Sequence, residues 1–361
     1  MTDDPLLNWD LRTAPVAERD LKDRLHEVGA GAMGRIFVVH GAQPSCFYKM
    51  YKEPGQHADR LDHLIDWRRR LNGDVLDFLD EHCAWPIVTV VDKAARTLGF
   101  LMKPAPTQFW FTPKIMTDSA HSTANANNRQ TLKLSHLILP DKAQAVGVQA
   151  PDSGQRLDLL EDLAKIFNLF SQNGIVYGDV SENNVMWTVT PRPQIFLIDC
   201  DNARPDKLPG EYAGVAMSST HGIWHDPAIP KTGFPGGESD RFALAMFCYR
   251  VFYQAWYDLS FEGATRELPL PRGTPVVPLQ RVLELGLSEN PRERPPAADW
   301  LKAVEATRRV LQLRASAPAS PSSTGLTLPA SFIPDWLRPR VTLVWMVVGV
   351  VLLGILLFLI L

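Results

Sequence analysis

Tyr177-Gly178-Asp179-Val180-Ser181-Glu182-Asn183-Asn184 sets an aspartate five residues ahead of an asparagine, and fifteen residues past that asparagine an apolar run ends in Ile198-Asp199. Two hard oxygen donors, Asn184 and Asp199, on neighbouring loops suit Mg²⁺, which keeps several waters and takes further ligands from substrate phosphates. Asp179 supplies a third oxygen group to the same constellation. Each signal alone is weak; their order and spacing together are specific.

Working upstream, Gly29-Ala30-Gly31-Ala32-Met33-Gly34 is a glycine-rich turn. A backbone that must approach phosphates closely needs residues without a Cβ. The same pattern opens dinucleotide-binding folds, but those continue into a helix. Here Arg35-Ile36-Phe37-Val38-Val39 is apolar and β-branched, so the turn leaves into a strand. Lys49 follows inside Cys46-Phe47-Tyr48-Lys49-Met50-Tyr51. A lysine among apolar strand residues either snorkels to solvent or meets a negative partner, such as a phosphate pair. The predicted helix over residues 56–71 holds no Glu. Asp59, Asp62 and Asp66 share one of its faces, and Asp66 lies nearest the expected distance for pairing with Lys49; a solvated acidic face is the alternative.

Periodicity organises the rest. Residues 25–29, 35–39, 46–51, 87–91 and 97–102 read as strands, giving a small antiparallel α+β lobe of five strands and one helix. Residues 104–155 are mixed, with loop character over 121–129. A helix is predicted over 156–173, closed by Gly174. Short strands follow at 185–188 and 194–198, and helices at 239–256, 277–287 and 296–313.

The ordered set resembles the eukaryotic-like Ser/Thr protein kinases of bacteria, in particular an atypical subgroup with a Gly-Asp catalytic loop and a C-terminal membrane anchor. The resemblance covers about residues 20–313. It implies a bilobal protein-kinase-like α+β fold, with an N-lobe over 20–103 and a C-lobe over 104–313. It also implies ATP with Mg²⁺, or Mn²⁺, as cofactors. Gly29, Gly31, Gly34, Ile36, Lys49 and Met102 are then expected to bind nucleotide, and Asn184 and Asp199 to hold metal. Lys49 and Asp179 are the expected catalytic residues, with Asp179 guiding the attacking hydroxyl. Asp199-Cys200-Asp201 stands where Asp-Phe-Gly is usual, Asp226-Pro227-Ala228 where Ala-Pro-Glu is usual, and Ser239-Asp240 at the start of the central helix. The Asp there normally accepts backbone N–H bonds from the catalytic loop. Arg294 lies in Asn290-Pro291-Arg292-Glu293-Arg294-Pro295, the matching Arg-Pro signature.

The departures carry consequences. Gly178 replaces the Arg that would pair with a phosphorylated activation segment. Ala228 removes the Glu that normally pairs with Arg294, whose charge then needs another acceptor. Asp201 is either a further metal ligand or a solvated residue. The implied activity is phosphoryl transfer to protein Ser/Thr hydroxyls, self included. A pseudokinase that binds nucleotide and serves as scaffold or sensor, and a kinase for a small molecule or lipid, are the competing readings. Ser218, Ser219 and Thr220 are candidate autophosphorylation sites, and His221 and His225 read as loop histidines.

Net charge near −3 in 361 residues excludes a broadly nucleic-acid-binding chain. Cys46, Cys83, Cys200 and Cys248 lack paired spacing, which fits buried thiols in a reducing compartment. The first ten residues carry no secretory signal. Residues 341–361 contain no charge, and a helix of that length matches the hydrocarbon thickness of a bilayer. A membrane helix over 339–361 is therefore expected, after a Ser/Pro-rich linker over 314–338. Arg338 and Arg340 imply a cytoplasmic kinase-like domain on the inner membrane, with almost nothing expected beyond the span. Gly349 and Gly354 do not form a close-packing pair. The basic helix residues Lys302, Arg308, Arg309 and Arg314 read as a solvated face or an anionic-lipid contact. Protein substrates and oligomeric state are not legible.

Overall fold

Alternation along one strand assigns both faces of the first lobe. The computed structural model describes residues 4–316, except 5, 32, 56, 115–128, 207–223, 225, 230–235 and 254–276. Strands β1 (Val16–Ala17), β2 (Leu25–Ala30), β3 (Gly34–Val39), β4 (Cys46–Tyr51), β5 (Val88–Val91) and β6 (Thr97–Met102) form one sheet in the order β1-β5-β6-β4-β3-β2. Cys46 and Tyr48 of β4 join the core behind the sheet with Trp9, Leu21, Val88 and Leu101. Phe47 and Tyr51 join a different core with Leu61, Ile65, Phe100 and Met102. Side chains alternate with period two, so Lys49 shares the second face.

The sheet exceeds the five predicted strands by β1, which pairs in parallel with β5. Leu6, Trp9 and Val16 fill the rear core, so residues ahead of position 20 contribute to this lobe. Helix α1 (Ala58–Arg69) is followed by α2 (Gly73–His82), a second helix beyond the one predicted over 56–71. Its start is fixed by Asn72, whose side-chain oxygen accepts the Val75 N–H at 3.2 Å.

The second lobe is mainly helical. Strands β7 (Trp110–Phe111) and β8 (Gln130–Thr131) pair, and α3 (Leu134–Ile138) and α4 (Pro140–Ala145) order part of the stretch that sequence left unread. Helix α5 (Ser153–Gln172) begins three residues before the predicted start at 156. The cause is a capping box: Gln155 N–H donates to Asp152 Oδ1 at 2.8 Å, and Asp152 N–H donates to Gln155 Oε1 at 3.0 Å. Gly174 closes the helix at φ 63°. Strand β9 (Ile175–Val176) pairs with β12 (Arg204–Pro205), and β10 (Val185–Thr188) with β11 (Gln194–Leu197). Helix α6 (Gly237–Phe247) passes into a single π turn, Cys248–Phe252. Helices α7 (Val277–Gly286) and α8 (Ala297–Ser316) complete the lobe. The α+β architecture, a strand-built lobe and a helical one, stands as expected. All four cysteines are buried free thiols.

Helix α8 extends beyond the predicted linker start at 314. Its Arg308 pairs with Asp158 and Glu161 of α5 at 2.7 and 2.5 Å, Arg309 with Glu305 at 3.1 Å, and Lys302 with Asp299 at 2.9 Å. These acids lie beside the basic residues on a partly solvated helix face. Among the described residues no helix is long and apolar enough to cross a membrane. The expected span over 339–361, the linker from 317 on, Ser218, Ser219, Thr220, His221 and His225 all lie outside the described residues.

The charge stranded by Ala228 has found its acceptor. Arg294, fully buried, donates from Nη1 to Asp226 Oδ2 at 2.6 Å and from Nη2 to Asp226 Oδ1 at 2.9 Å. Arg294 also donates to the Ser288 and Glu238 carbonyls. Removing one member of such a pair leaves an uncompensated buried charge. Asp226→Ala is therefore expected to lower unfolding free energy by about 3–5 kcal/mol. Asp226→Leu combined with Arg294→Met should recover part of that loss. Denaturant titration of the three chains checks both outcomes.

Candidate nucleotide and metal site

The β10–β11 hairpin brings the two predicted metal ligands together. Val185 pairs with Leu197, and the Ile198 N–H donates to the Asn184 carbonyl at 2.9 Å. Asn184 and Asp199 therefore flank the open end of one antiparallel pair, although fifteen residues separate them in the chain. Asp199 takes a left-handed conformation, φ 56°, which Asp tolerates better than most residues. This turns the chain into the short 3₁₀ segment Cys200–Asn202.

The loop carrying Asp179 hangs from α6. Both oxygens of the buried Asp240 accept from it: Tyr177 N–H at 2.7 Å and Gly178 N–H at 2.8 Å. Burial nevertheless pushes the Asp240 carboxyl up to about 7, against these two hydrogen bonds. Tyr177 donates its hydroxyl to the Ile198 carbonyl at 2.7 Å, tying this loop to the Asp199 loop. Gly178 sits at φ 68°, a conformation that a side chain such as Arg would strain.

Asp179 is buried, and a single oxygen, Oδ2, receives two amides: Asn184 Nδ2 and Asn202 Nδ2, each at 2.8 Å. Its carboxyl is pushed up to about 7, first by burial, with the Asn202 bond opposing and Asp199 and Asp201 adding repulsion. Asn184 spends its amide nitrogen on Asp179, which leaves its carbonyl oxygen as a metal donor.

Lys49 is buried, and its ammonium donates to Asp201 Oδ1 at 2.7 Å and Asp199 Oδ1 at 3.2 Å. Burial opposes the charged form, but the Asp201 and Asp199 carboxylates outweigh it and raise Lys49 above its usual range. The helix acids expected to pair with Lys49 do not. Asp59, Asp62 and Asp66 are all exposed, and Asp66 pairs with Arg69 at 3.3 Å. The reason is helical phase: α1 buries Leu61, Leu64 and Ile65 together with Arg60, and the acids face away. Asp201 is correspondingly neither solvated nor poised for metal. It is 1% exposed, and its second oxygen accepts from the Tyr51 hydroxyl at 3.1 Å.

The glycine turn divides by function. Gly31 N–H donates to the Gly34 carbonyl at 2.8 Å and closes the hairpin. A Cβ on Gly34 would collide with the Met50 carbonyl, whereas one on Gly29 or Gly31 would meet nothing within 4 Å. Ile36, Lys49 and Phe100 stand opposite one another across β3, β4 and β6. Ile36 and Met102 lie in an apolar cluster with Phe47 and Met186, a slot lining on the Lys49 face. Sequence reading missed Tyr51, Arg60, Met186, Asn202 and the pairing role of Asp201. Asn202, three residues past Asp199, and Met186, two past Asn184, were findable from their positions beside those ligands.

The donor set fits Mg²⁺. Asp199 is 42% exposed at its side chain, and with the Asn184 carbonyl it offers two hard oxygens, the remainder falling to phosphate and water. Among the described residues no group of three or more His, Cys, Asp and Glu suits a metal ion by itself. Both oxygens of Asp201 are engaged by Lys49 and Tyr51.

No protein-family model and no curated protein sequence matches this chain. Among solved structures, the kinase domain of Mycobacterium tuberculosis PknI is similar, with TM-score 0.48 and 16% identity over 79% of this chain and 94% of that one. Likeness at that level carries no argument about chemistry, which rests on the side chains described above.

Two outcomes follow from this geometry. Gly34→Ala should destabilise the chain by about 1–3 kcal/mol through overpacking, while Gly29→Ala and Gly31→Ala carry no such steric cost; thermal unfolding of the three variants separates them. Asp240→Ala leaves two buried N–H groups without an acceptor, at about 1–3 kcal/mol each. Hydrogen exchange at Tyr177 and Gly178 should accelerate in that variant.

Proposed function

We propose that this chain is an ATP- and Mg²⁺-dependent protein Ser/Thr kinase. The observation that carries the reading is the convergence of Lys49, Asp179, Asn184 and Asp199 on one cleft between the sheet lobe and the helical lobe. Lys49 would neutralise triphosphate oxygens as the glycine hairpin covers them. Asn184 and Asp199 would hold magnesium, which when bound supplies charge neutralisation at the phosphates. Asp179, with Oδ2 fixed by two amides, would orient a substrate hydroxyl and accept its proton at Oδ1. Catalysis of this kind is chiefly positioning and electrostatic stabilisation. Asp226 and the Asn290–Pro295 segment hold the elements that follow the catalytic loop, which favours a protein substrate over a small molecule or lipid.

A pseudokinase remains the second reading, favoured by one observation. Two of the three N–H donors of Lys49 are already taken by Asp201 and Asp199, so a triphosphate finds one donor until Asp199 turns away. The uncharged segment 341–361 supports, from sequence alone, a tether to the inner membrane with the catalytic unit on the cytoplasmic face.

Incubation of the full-length chain with Mg²⁺ and ATP labelled on the γ-phosphate should transfer label to Ser or Thr. Asp179→Ala and Lys49→Met should each lose at least about a hundredfold, the usual scale for a positioned acid–base group. Equal labelling of all three chains would exclude this function, and Mg²⁺-dependent ATP binding without transfer would establish the pseudokinase reading.

A further inference from the structure

We infer that Asp201, and no acid of α1, is the positioning residue for Lys49. The inference rests on the nucleotide-binding reading of the cleft and adds a role that the reading does not assign.

Three observations converge. First, the acids of α1 point to solvent, and the one best spaced for pairing, Asp66, is taken by Arg69. Second, both oxygens of Asp201 are engaged from β4, by Lys49 at 2.7 Å and by the Tyr51 hydroxyl at 3.1 Å, and its side chain is completely buried. A carboxylate fixed at both oxygens and shielded from water is a stable partner for an ammonium. Asp199 is the opposite case: 42% exposed, with a longer 3.2 Å contact to Lys49. Asp199 can therefore turn to a metal while Asp201 keeps Lys49 in place. Third, α1 packs against the Cys200–Asn202 turn, yet its buried residues, Arg60, Leu61, Leu64, Ile65, Trp67 and Arg68, include no acid.

The anion that fixes the lysine sits two residues from the proposed metal ligand Asp199, on the same turn. Lysine and metal ligand are assembled as one unit. Displacing α1 would not break the Lys49–carboxylate pair.

The test uses the full-length chain and Asp201→Asn, Asp201→Glu, Asp66→Asn and Lys49→Met/Asp201→Asn variants. Two quantities are read: the rate at which an amine-acylating reagent labels Lys49 without nucleotide, by peptide mass spectrometry, and the dissociation constant for Mg²⁺·ATP. Asp201→Asn should speed labelling and weaken binding by about tenfold or more each, the scale of one lost charge-assisted hydrogen bond. Asp201→Glu should restore part of both, and Asp66→Asn should leave both unchanged. In the Lys49→Met background, Asp201→Asn should add no further loss of affinity, as expected for two residues acting through one contact. Unchanged labelling in Asp201→Asn, an equal effect from Asp66→Asn, or additive losses would each overturn the proposal. Tyr51→Phe, which releases one oxygen of Asp201, gives a smaller shift in the same direction and replaces Asp201→Asn if that chain does not fold. If the unaltered chain does not bind Mg²⁺·ATP, the kinase reading fails, and the labelling rates still decide what holds Lys49.

Discussion

A lysine ammonium buried between two lobes constrains everything around it. Lys49 rises from the central strands of the sheet, and its partners, Asp199 and Asp201, belong to the turn that follows β11 in the helical lobe. Removing an ammonium from water costs several kcal/mol unless opposite charge and hydrogen bonds replace the lost hydration. The sheet lobe therefore cannot separate from the Asp199 turn without exposing that charge or stranding it. The relation between the sheet lobe and the Asp199 turn follows from one electrostatic requirement.

The Asp179 loop is held by a different means, a relay of hydrogen bonds starting at α6. Asp240 gathers the Tyr177 and Gly178 amides, Tyr177 reaches the Ile198 carbonyl, and Asn184 and Asn202 both hold Asp179. The relay crosses from the loop before β10 to the loop after β11, so the two halves of the site cannot drift independently. Two amides on one oxygen fix how the Asp179 carboxyl is turned. In the proposed reaction, preorganisation of this kind spares the hydroxyl a rearrangement in the encounter.

Much of this arrangement was legible in the chain, for identifiable reasons. The spacing between Asn184 and Asp199 is that of a short hairpin whose open end brings its flanks together, so spacing alone reported proximity. Lys49 stood out because its neighbours were apolar and its strand alternated. The start of α5 was missed because Asp152 and Gln155 form the cap ahead of the apolar run. The partner of Lys49 was misplaced because chain distance along α1 was weighed above helical phase. The stripe of Leu61, Leu64 and Ile65 already placed the acids on the outer face and Arg60 at the edge of the inner one. The burial of Asp201 had no local signature, since it arises from α1 and β4 closing over a turn distant from both in sequence.

Two buried cations in this chain lack the acid that their surroundings would ordinarily supply, and the structure resolves both in the same manner. Arg294 loses a partner where Ala228 stands and takes Asp226, two residues earlier on the same turn. Lys49 finds no carboxylate on α1 and takes Asp201, two residues past Asp199. In each case the cation is nearly inaccessible to solvent, so leaving it unpaired would cost more than moving the anion along the chain. An acid's address is then a weaker constraint than its reach: any backbone position from which a carboxylate meets the buried charge at hydrogen-bond distance satisfies the same electrostatic demand. Motifs defined by residue position read such a site as degraded, whereas the charge pairs themselves are complete. What changes is the element to which the charge is coupled. Arg294 is fastened to the turn at Asp226, and Lys49 to the Asp199–Asp201 turn instead of a helix, so two loops fix where these buried charges sit.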